Sequence, residues 1–422
     1  MHASSPTPET LTDIDIDVVI IGAGPSGSIA ASLLHQQGKR VIVIEKQHFP
    51  RFSIGESLLP CCMQFLEEAN MLDAVNQAGF QFKNGAAFRY KEQYTDFDFS
   101  DKFTPGPGTT FQVERAGFDK LLADTATKQG VEIRYGETVM AVDLTDKPRL
   151  TVADASGEKY LIEAKYLLDA SGFGRVLPKL LELEKPSTLA NRSAIFTHIQ
   201  DNIGNKEVDG RPFDRNKILI SVHPENKDIW YWLIPLSPDR CSLGVVGEPH
   251  LLGDSDLKLE ELLMNMVNQE PGLKKLLSDA EVLRECAELK GYSANVSTLA
   301  TDKFALLGNS GEFLDPVFSS GVTIAMQSAS MATKCVVRQL NGENIDWQSE
   351  YATPLMRGVN TFRTYVEAWY DGRFQDVIFY DAPDNKIKQM VCSILAGYAW
   401  DEANPLVAES EKRLNLIVEL CS

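Results

Sequence analysis

Gly22-Ala23-Gly24-Pro25-Ser26-Gly27 sits between the apolar run Val18–Ile21 and a helically spaced stretch that opens at Pro25 and Ser26. Glycines at the first, third and sixth places allow a tight turn, a close approach of backbone to a pyrophosphate, and close packing of helix on strand. The helix N-terminus that follows favours phosphate charge. Glu45 ends the next strand pattern, 23 residues after Gly22, where a carboxylate can accept a bond from a ribose hydroxyl. Two further groups could do chemistry. Lys83 lies among Phe80, Phe82 and Phe88, and an amine desolvated by such neighbours titrates below the usual lysine range. Its blander reading is an exposed lysine whose stem covers apolar surface. Trp230 and Trp232, two apart on a strand pattern, point to one face and can wall a cavity. An ordinary core pair of indoles is the alternative.

These residues need elements to hold them. A strand, glycine turn, helix and second strand over residues 15–46 make a βαβ unit with a right-handed crossover. Helical spacing covers parts of 54–80, short strands and loops 85–115, and helix 116–130. Alternating stretches around 131–171 and 190–250 read as strands, the latter as an antiparallel sheet. Helix is expected over 255–290 and from about 323 to the end. The predicted organisation is α/β. A leader at 1–13 is expected to be disordered. A discontinuous dinucleotide domain takes 14–80, 105–185 and 296–345. A sheet-based substrate domain takes 81–104 and 186–295, and a helical segment takes 346–422.

Composition narrows the class of partner. The 422-residue chain carries a formal charge of -18, the wrong sign for nucleic acid or an anionic membrane surface. No apolar run reaches the roughly 18 residues of a membrane helix. Seven scattered cysteines and six dispersed histidines give neither a disulfide framework nor metal-ligand spacing, so no metal site is expected. A cytoplasmic location is the natural expectation.

Three more segments resemble the flavin-contacting parts of the FAD-dependent monooxygenase superfamily: Arg51–Ser57, Val113–Asp119, and Gly308-Asn309 through Asp315-Pro316. The resemblance implies an FAD-binding Rossmann-like domain with an inserted antiparallel-sheet substrate domain and a helical C-terminal segment. It implies FAD contacts from Gly22, Gly24, Pro25, Ser26, Gly27, Glu45, Lys46, Arg51, Ile54, Arg115, Val139, Gly308, Asn309, Asp315, Gly321 and Val322. Arg51 and Arg115 would supply cations or donors, a surface ion pair being the blander reading of either. The superfamily usually has Gly-Asp where this chain has Gly308-Asn309, so an amide would replace a carboxylate at the ribityl contact.

Within that superfamily the sequence resembles the flavin-dependent halogenases, phenol and pyrrole branch, along almost its whole length. Trp230-Tyr231-Trp232-Leu233-Ile234-Pro235 fits their WxWxIP signature, implying a partition by Trp230, Trp232, Ile234 and Pro235 between flavin and substrate. Phe82-Lys83-Asn84-Gly85 resembles the segment of the catalytic lysine. Asp315 through Val322 resembles the halide turn, implying that Ser320 and Gly321 hold chloride or bromide on backbone N–H groups. The tryptophan-directed branch typically has a glutamate two residues before the Ser/Thr-Gly pair; Phe318 stands there, which points to a pyrrole or phenol. The implied cycle uses reduced FAD, oxygen and halide to make hypohalous acid, which Lys83 delivers to the aromatic carbon. No second glycine fingerprint follows a strand pattern, so a separate flavin reductase is implied. The length is similar to that of enzymes acting on a carrier-protein-tethered pyrrole, and a free phenolic stays open. A non-halogenating FAD-dependent oxidoreductase or monooxygenase of the same fold is the competing reading, and a flavin-binding redox sensor a more distant one.

Overall fold

The computed structural model describes residues 11–253, 256–382 and 384–421. Its first sheet is built on the βαβ unit. Leu11–Ile21 pairs in parallel with Val41–Glu45 on one side and Lys159–Asp169 on the other, and Val41–Glu45 pairs with Glu132–Tyr135. Phe304–Leu306 adds a parallel strand beside Lys159–Asp169, while Arg149–Ala153 and Thr138–Asp143 complete the sheet antiparallel. All five residues of Val41–Glu45 are buried, as expected where helices cover both faces of a parallel strand. Strand pairing starts at Leu11, inside the segment expected to be a disordered leader; parallel pairing with Lys159–Asp169 extends the strand, with register shifts before Ile16. Residues 1–10 of that expected leader lie outside the described residues.

The second sheet orders Glu281–Val282, Ser193–Gln200, Arg240–Gly247, Trp230–Ser237, Lys217–Val222, Gly85–Tyr90 and Gln93–Asp98. The long hairpin strands pair antiparallel, as their alternation predicts, but Lys217–Val222 runs parallel to Gly85–Tyr90. Those two strands come from distant parts of the chain, so no hairpin turn forces them antiparallel. Residues 255–290 are only partly helical: Leu259–Val267 and Pro271–Leu276 are helices, whereas Glu281–Val282 and Ala287–Lys290 join the sheet edge. The stretch after Pro316 is helical as expected, led by Ser320–Leu340 and Thr353–Tyr370.

One apolar core runs from the nucleotide-side strands through Trp230, Trp232 and Phe318 into Trp369 and Tyr365. Each such fully buried large side chain contributes about 1.5–3 kcal/mol relative to exposure. The layer between the sheets is therefore where side chains from both units are fixed. That is where the cavity opens.

Candidate active site

A cavity of about 400 Å³ lies between the two sheets, walled by Gly22, Gly24, Pro25 and Ser26 at one end and by Phe196, Trp230, Trp232 and Ile234 at the other. The glycine turn has the shape its sequence demands. Gly22 has φ +98°, and a Cβ there would meet Ala170 O at 2.6 Å. A Cβ on Gly27 would stand 1.9 Å from Gly22 O, so Gly27 serves helix packing and lies off the cavity wall. In front of Gly24 a Cβ would meet only the Arg51 guanidinium, at 3.5 Å. A cation thus faces an open glycine turn at the start of the helix Pro25–Gln36, a cradle that fits a pyrophosphate.

Glu45 Oε2 accepts from Ala23 N at 2.8 Å and Oε1 from Gln47 N at 2.9 Å, and both Glu45 and Lys46 line the cavity. Val139 and Asn309 line it as well. The two arginines divide their work through one acid. Arg115 grips Asp119 with two bonds, at 2.7 and 3.0 Å, and donates to Ile54 O at 2.6 Å. Arg51 reaches the same buried Asp119 at 3.1 Å. Arg115 therefore spends its donors on fixing the Ile54-Gly55 loop, and Arg51 keeps an arm toward Gly24. Neither is the surface ion pair of the blander reading. The residues present fit FAD.

Besides Gly27, two of the expected cofactor contacts lie off the cavity wall. Gly308 and Asp315 are absent from the cavity wall. Asp315 is 4% exposed and saturated: it accepts from Tyr370 OH at 2.9 Å, Tyr292 OH at 3.0 Å and Val317 N at 3.0 Å. Burial nonetheless pushes its carboxyl above the usual range. Gly308 packs on Ala325, where a Cβ would meet another Cβ at 2.8 Å. Asp315 shapes the following turn, and Ser319 (φ 55°) caps the helix Ser320–Leu340 in a left-handed conformation rare for serine. Ser319, Gly321 and Val322 line the cavity at that helix N-terminus, with Ser320 buried behind them.

The tryptophans stand on one face, ring centroids 5.9 Å apart. Trp230 Nε1 donates to Tyr370 OH at 2.9 Å and Trp232 Nε1 to Ser242 Oγ at 3.1 Å. Gly244 makes room for Trp232, since a Cβ there would fall 2.3 Å from the indole. Pro235 points off the wall, on the opposite face of the strand from Ile234.

Lys83 is fully buried at the end of the short strand Gln81–Lys83. Its Nζ donates to Ser57 Oγ and to Leu58 O, each at 2.8 Å, and lies 5.3 Å from the Phe99 ring. Burial pushes the ammonium down to about 7. The aromatic surround differs from expectation. Phe82 is 43% exposed because strand alternation turns it away from Lys83, and Phe80 packs on Phe118. Lys83 is not on the cavity wall; Ser57, which holds it, is.

Sequence reasoning passed over Glu56, Ser57, Phe52 and His198. Glu56 and Ser57 fall within the Arg51–Ser57 segment, so their neighbourhood was legible but their roles were not. His198 stands on a strand with no local signal.

The family model described as "FAD binding domain" matches residues 15–240, more than half the chain. The chain belongs to this family. This FAD-binding protein is 29% identical over 381 residues to the 1H-pyrrole-2-carbonyl-(peptidyl-carrier protein) chlorinase of Pseudomonas fluorescens, covering 85% of this chain and 84% of that enzyme. A flavoprotein/dehydrogenase from Cytophaga hutchinsonii superposes with a TM-score of 0.92 at 42% identity, covering 96% of this chain and 98% of that one. A triple mutant of the flavin-dependent brominase Bmp2 superposes with a TM-score of 0.80 at 26% identity, covering 94% and 99%. The FAD-binding protein thus has the α/β halogenase fold, and FAD is its cofactor. Halogenation is favoured over a non-halogenating oxidoreductase. Among the described residues no helix is long and apolar enough to cross a membrane.

Proposed function

We propose that this chain transfers chlorine or bromine to an electron-rich aromatic ring, a pyrrole or phenol, with Lys83 as the residue that delivers the halogen. One observation carries this reading. A fully buried amine, lowered to about 7, is tied at 2.8 Å to a serine on the wall of the FAD-shaped cavity. A lysine with only a packing role has no reason to be held this way, because burying its charge costs several kcal/mol.

Bound reduced FAD supplies the two electrons with which oxygen is activated and a halide ion is converted to hypohalous acid. The chain's own residues do the rest. Gly24, Arg51 and Glu45 hold the dinucleotide. The N–H groups at the Ser320-Gly321 turn, lacking partners one turn back, hold the halide. Trp230, Trp232 and Ile234 narrow the space and keep the aromatic substrate off the cofactor. The Lys83 amine accepts the halogen from hypohalous acid with loss of water, or hydrogen-bonds the acid itself. The aromatic carbon then takes the halogen and loses one proton, and the amine is restored. Phe318, packed edge-on against Trp369 and Phe374, stands two residues before Ser320-Gly321 in place of a glutamate, in keeping with a ring that supplies its own electrons.

Because the curated chlorinase acts on a carrier-bound pyrrole, a carrier-tethered acyl pyrrole is the first substrate to try, with free phenols second. A separate flavin reductase supplies reduced FAD, and the cytoplasm is the setting that would provide it. A second reading, non-halogenating flavin oxidation, is favoured by the name of the 42% identical Cytophaga protein. Incubation with reduced FAD, oxygen and bromide over a panel of carrier-bound pyrroles and phenols separates the two. Brominated product supports halogenation; dehydrogenated or hydroxylated product, or peroxide alone, supports the second.

A further inference from the structure

Trp230 of the partition and Ser319 and Gly321 of the halide turn line one cavity from distant parts of the chain. Behind the wall they are joined by hydrogen bonds. Trp230 Nε1 donates to Tyr370 OH at 2.9 Å, and Tyr370 OH donates to Asp315 Oδ2 at 2.9 Å. Oδ1 of the same carboxylate accepts from Val317 N at 3.0 Å, inside the turn that leads to Ser319. The direction of this chain is forced. An indole N–H can only donate and a carboxylate can only accept, so the hydroxyl between them has one orientation. Tyr292 OH donates to the same Oδ2 at 3.0 Å.

Tyr370 is itself held firmly. It ends the helix Thr353–Tyr370, and the Arg192 guanidinium lies 3.3 Å above the centre of its ring. Arg192 pairs with Asp228, just ahead of Trp230 in the chain. Trp369, the preceding residue of the helix, packs edge-on against Phe318 of the turn, ring centroids 5.9 Å apart. Gln375 Nε2 fastens this helix end by donating to Trp369 O at 2.9 Å. One helix end thus grips the turn at two points and the partition at one. Neither Tyr370 nor Asp315 lines the cavity, so their bonds serve the wall and touch no ligand. We infer that Tyr370 is a positioning residue: through Asp315 it ties the place of the Trp230 indole to that of the turn that takes the halide. This rests on the halogenase reading above.

Such a link works in both directions. Whatever steadies Trp230 also favours the arrangement of the turn that binds the anion, and an anion on the turn acts back on Trp230 to the same extent. A tyrosine that only filled the core could become phenylalanine at little cost to either site. Tyr370→Phe keeps the ring and its stack under Arg192 and removes the oxygen alone. It leaves Trp230 Nε1 without its acceptor and Asp315 Oδ2 with one donor in place of two. Tyr292→Phe takes a hydroxyl from the same oxygen but leaves the Trp230–Tyr370 bond in place, which makes it the matched comparison.

The test titrates sodium bromide into the FAD-loaded, oxidised enzyme carrying isotope-labelled tryptophan. Bromide binding is read from the visible spectrum of the flavin. The Trp230 environment is read from its indole N–H resonance, identified by its absence in Trp230→Phe. In the wild type bromide should move both signals with one Kd. In Tyr370→Phe bromide should bind about fivefold more weakly, the indole should no longer respond to it, and FAD affinity should be unchanged. Tyr292→Phe should keep the bromide response of the indole. Should Tyr370→Phe fail to fold, Asp315→Asn, of the same shape, must diminish that response. An indole response in Tyr370→Phe equal to the wild type's, or a wild type whose flavin responds to bromide while the indole does not, overturns the assignment. A wild-type flavin indifferent to bromide removes the halide turn, and this inference with it; that failure of the halogenase reading is seen separately, in the product assay.

Discussion

Lys83 Nζ and Ser57 Oγ are 2.8 Å apart, yet only Ser57 lies on the cavity wall. The amine is thus held through its partner, and whatever moves Ser57 moves the group proposed to deliver the halogen. Ser57→Ala should lower the halogenation rate about tenfold, the worth of a buried hydrogen bond to a charged group. FAD binding should be unchanged, and Ser57→Thr should restore most of the rate. Steady-state rates beside flavin absorbance titrations check this.

Lys83 also makes a statement about pH. Burial lowers its pKa in the folded protein to about 7, below the 10.5 usual for a lysine, so the unfolded chain binds more protons between those two values. Stability contributed by this group therefore rises with pH across that window, and the penalty is fully present below about 7. Lys83→Met should be more stable than wild type at pH 6 by a few kcal/mol and lose that advantage by about pH 10. Denaturant midpoints at both pH values measure it. Halogenation that uses the neutral amine should likewise rise through about pH 7 and level off above.

Asp315 gathers Tyr370, Tyr292 and the Val317 N–H, and Tyr370 in turn receives Trp230 Nε1. Asp315→Ala should leave two buried hydroxyls short of a partner and cost about 1–3 kcal/mol for each group stranded. Because Asp315 is off the cavity wall, bound FAD per protein should hold in the variant that folds. Thermal unfolding with flavin content measured on the same sample tests both halves.

Gly244 leaves room for the Trp232 indole, so Gly244→Ala should displace it, the new Cβ otherwise lying 2.3 Å from the ring. With the partition breached, less of the oxygen consumed should end in halogenated product and more in peroxide, at unchanged FAD affinity. Product and peroxide yields per oxygen consumed give the answer.

Local signals were readable where the chemistry is local. The glycine turn, Glu45, the paired indoles and the helical C-terminal stretch each follow from spacing a few residues long. What depends on long-range pairing was not. The parallel contact of Lys217–Val222 with Gly85–Tyr90 joins strands more than a hundred residues apart. Glu56 met His198 only through the packing of two sheets. Asp315 shows the converse: its turn sequence suggested a cofactor contact, but two tyrosines from Tyr292 and the helix Thr353–Tyr370 saturate it. Phe82 shows how one residue of strand register decides whether a ring covers Lys83 or meets water.

The buried amine of Lys83 is proposed to carry the halogen. Mass analysis of product from enzyme, reduced FAD, oxygen, bromide and a carrier-bound pyrrole or phenol tests it most directly when wild type and Lys83→Ala are run side by side. Brominated product from the wild type, and none from a variant that still binds FAD and consumes oxygen, is the predicted result. Equal bromination by both proteins, or none by either across the acceptor panel, would contradict it.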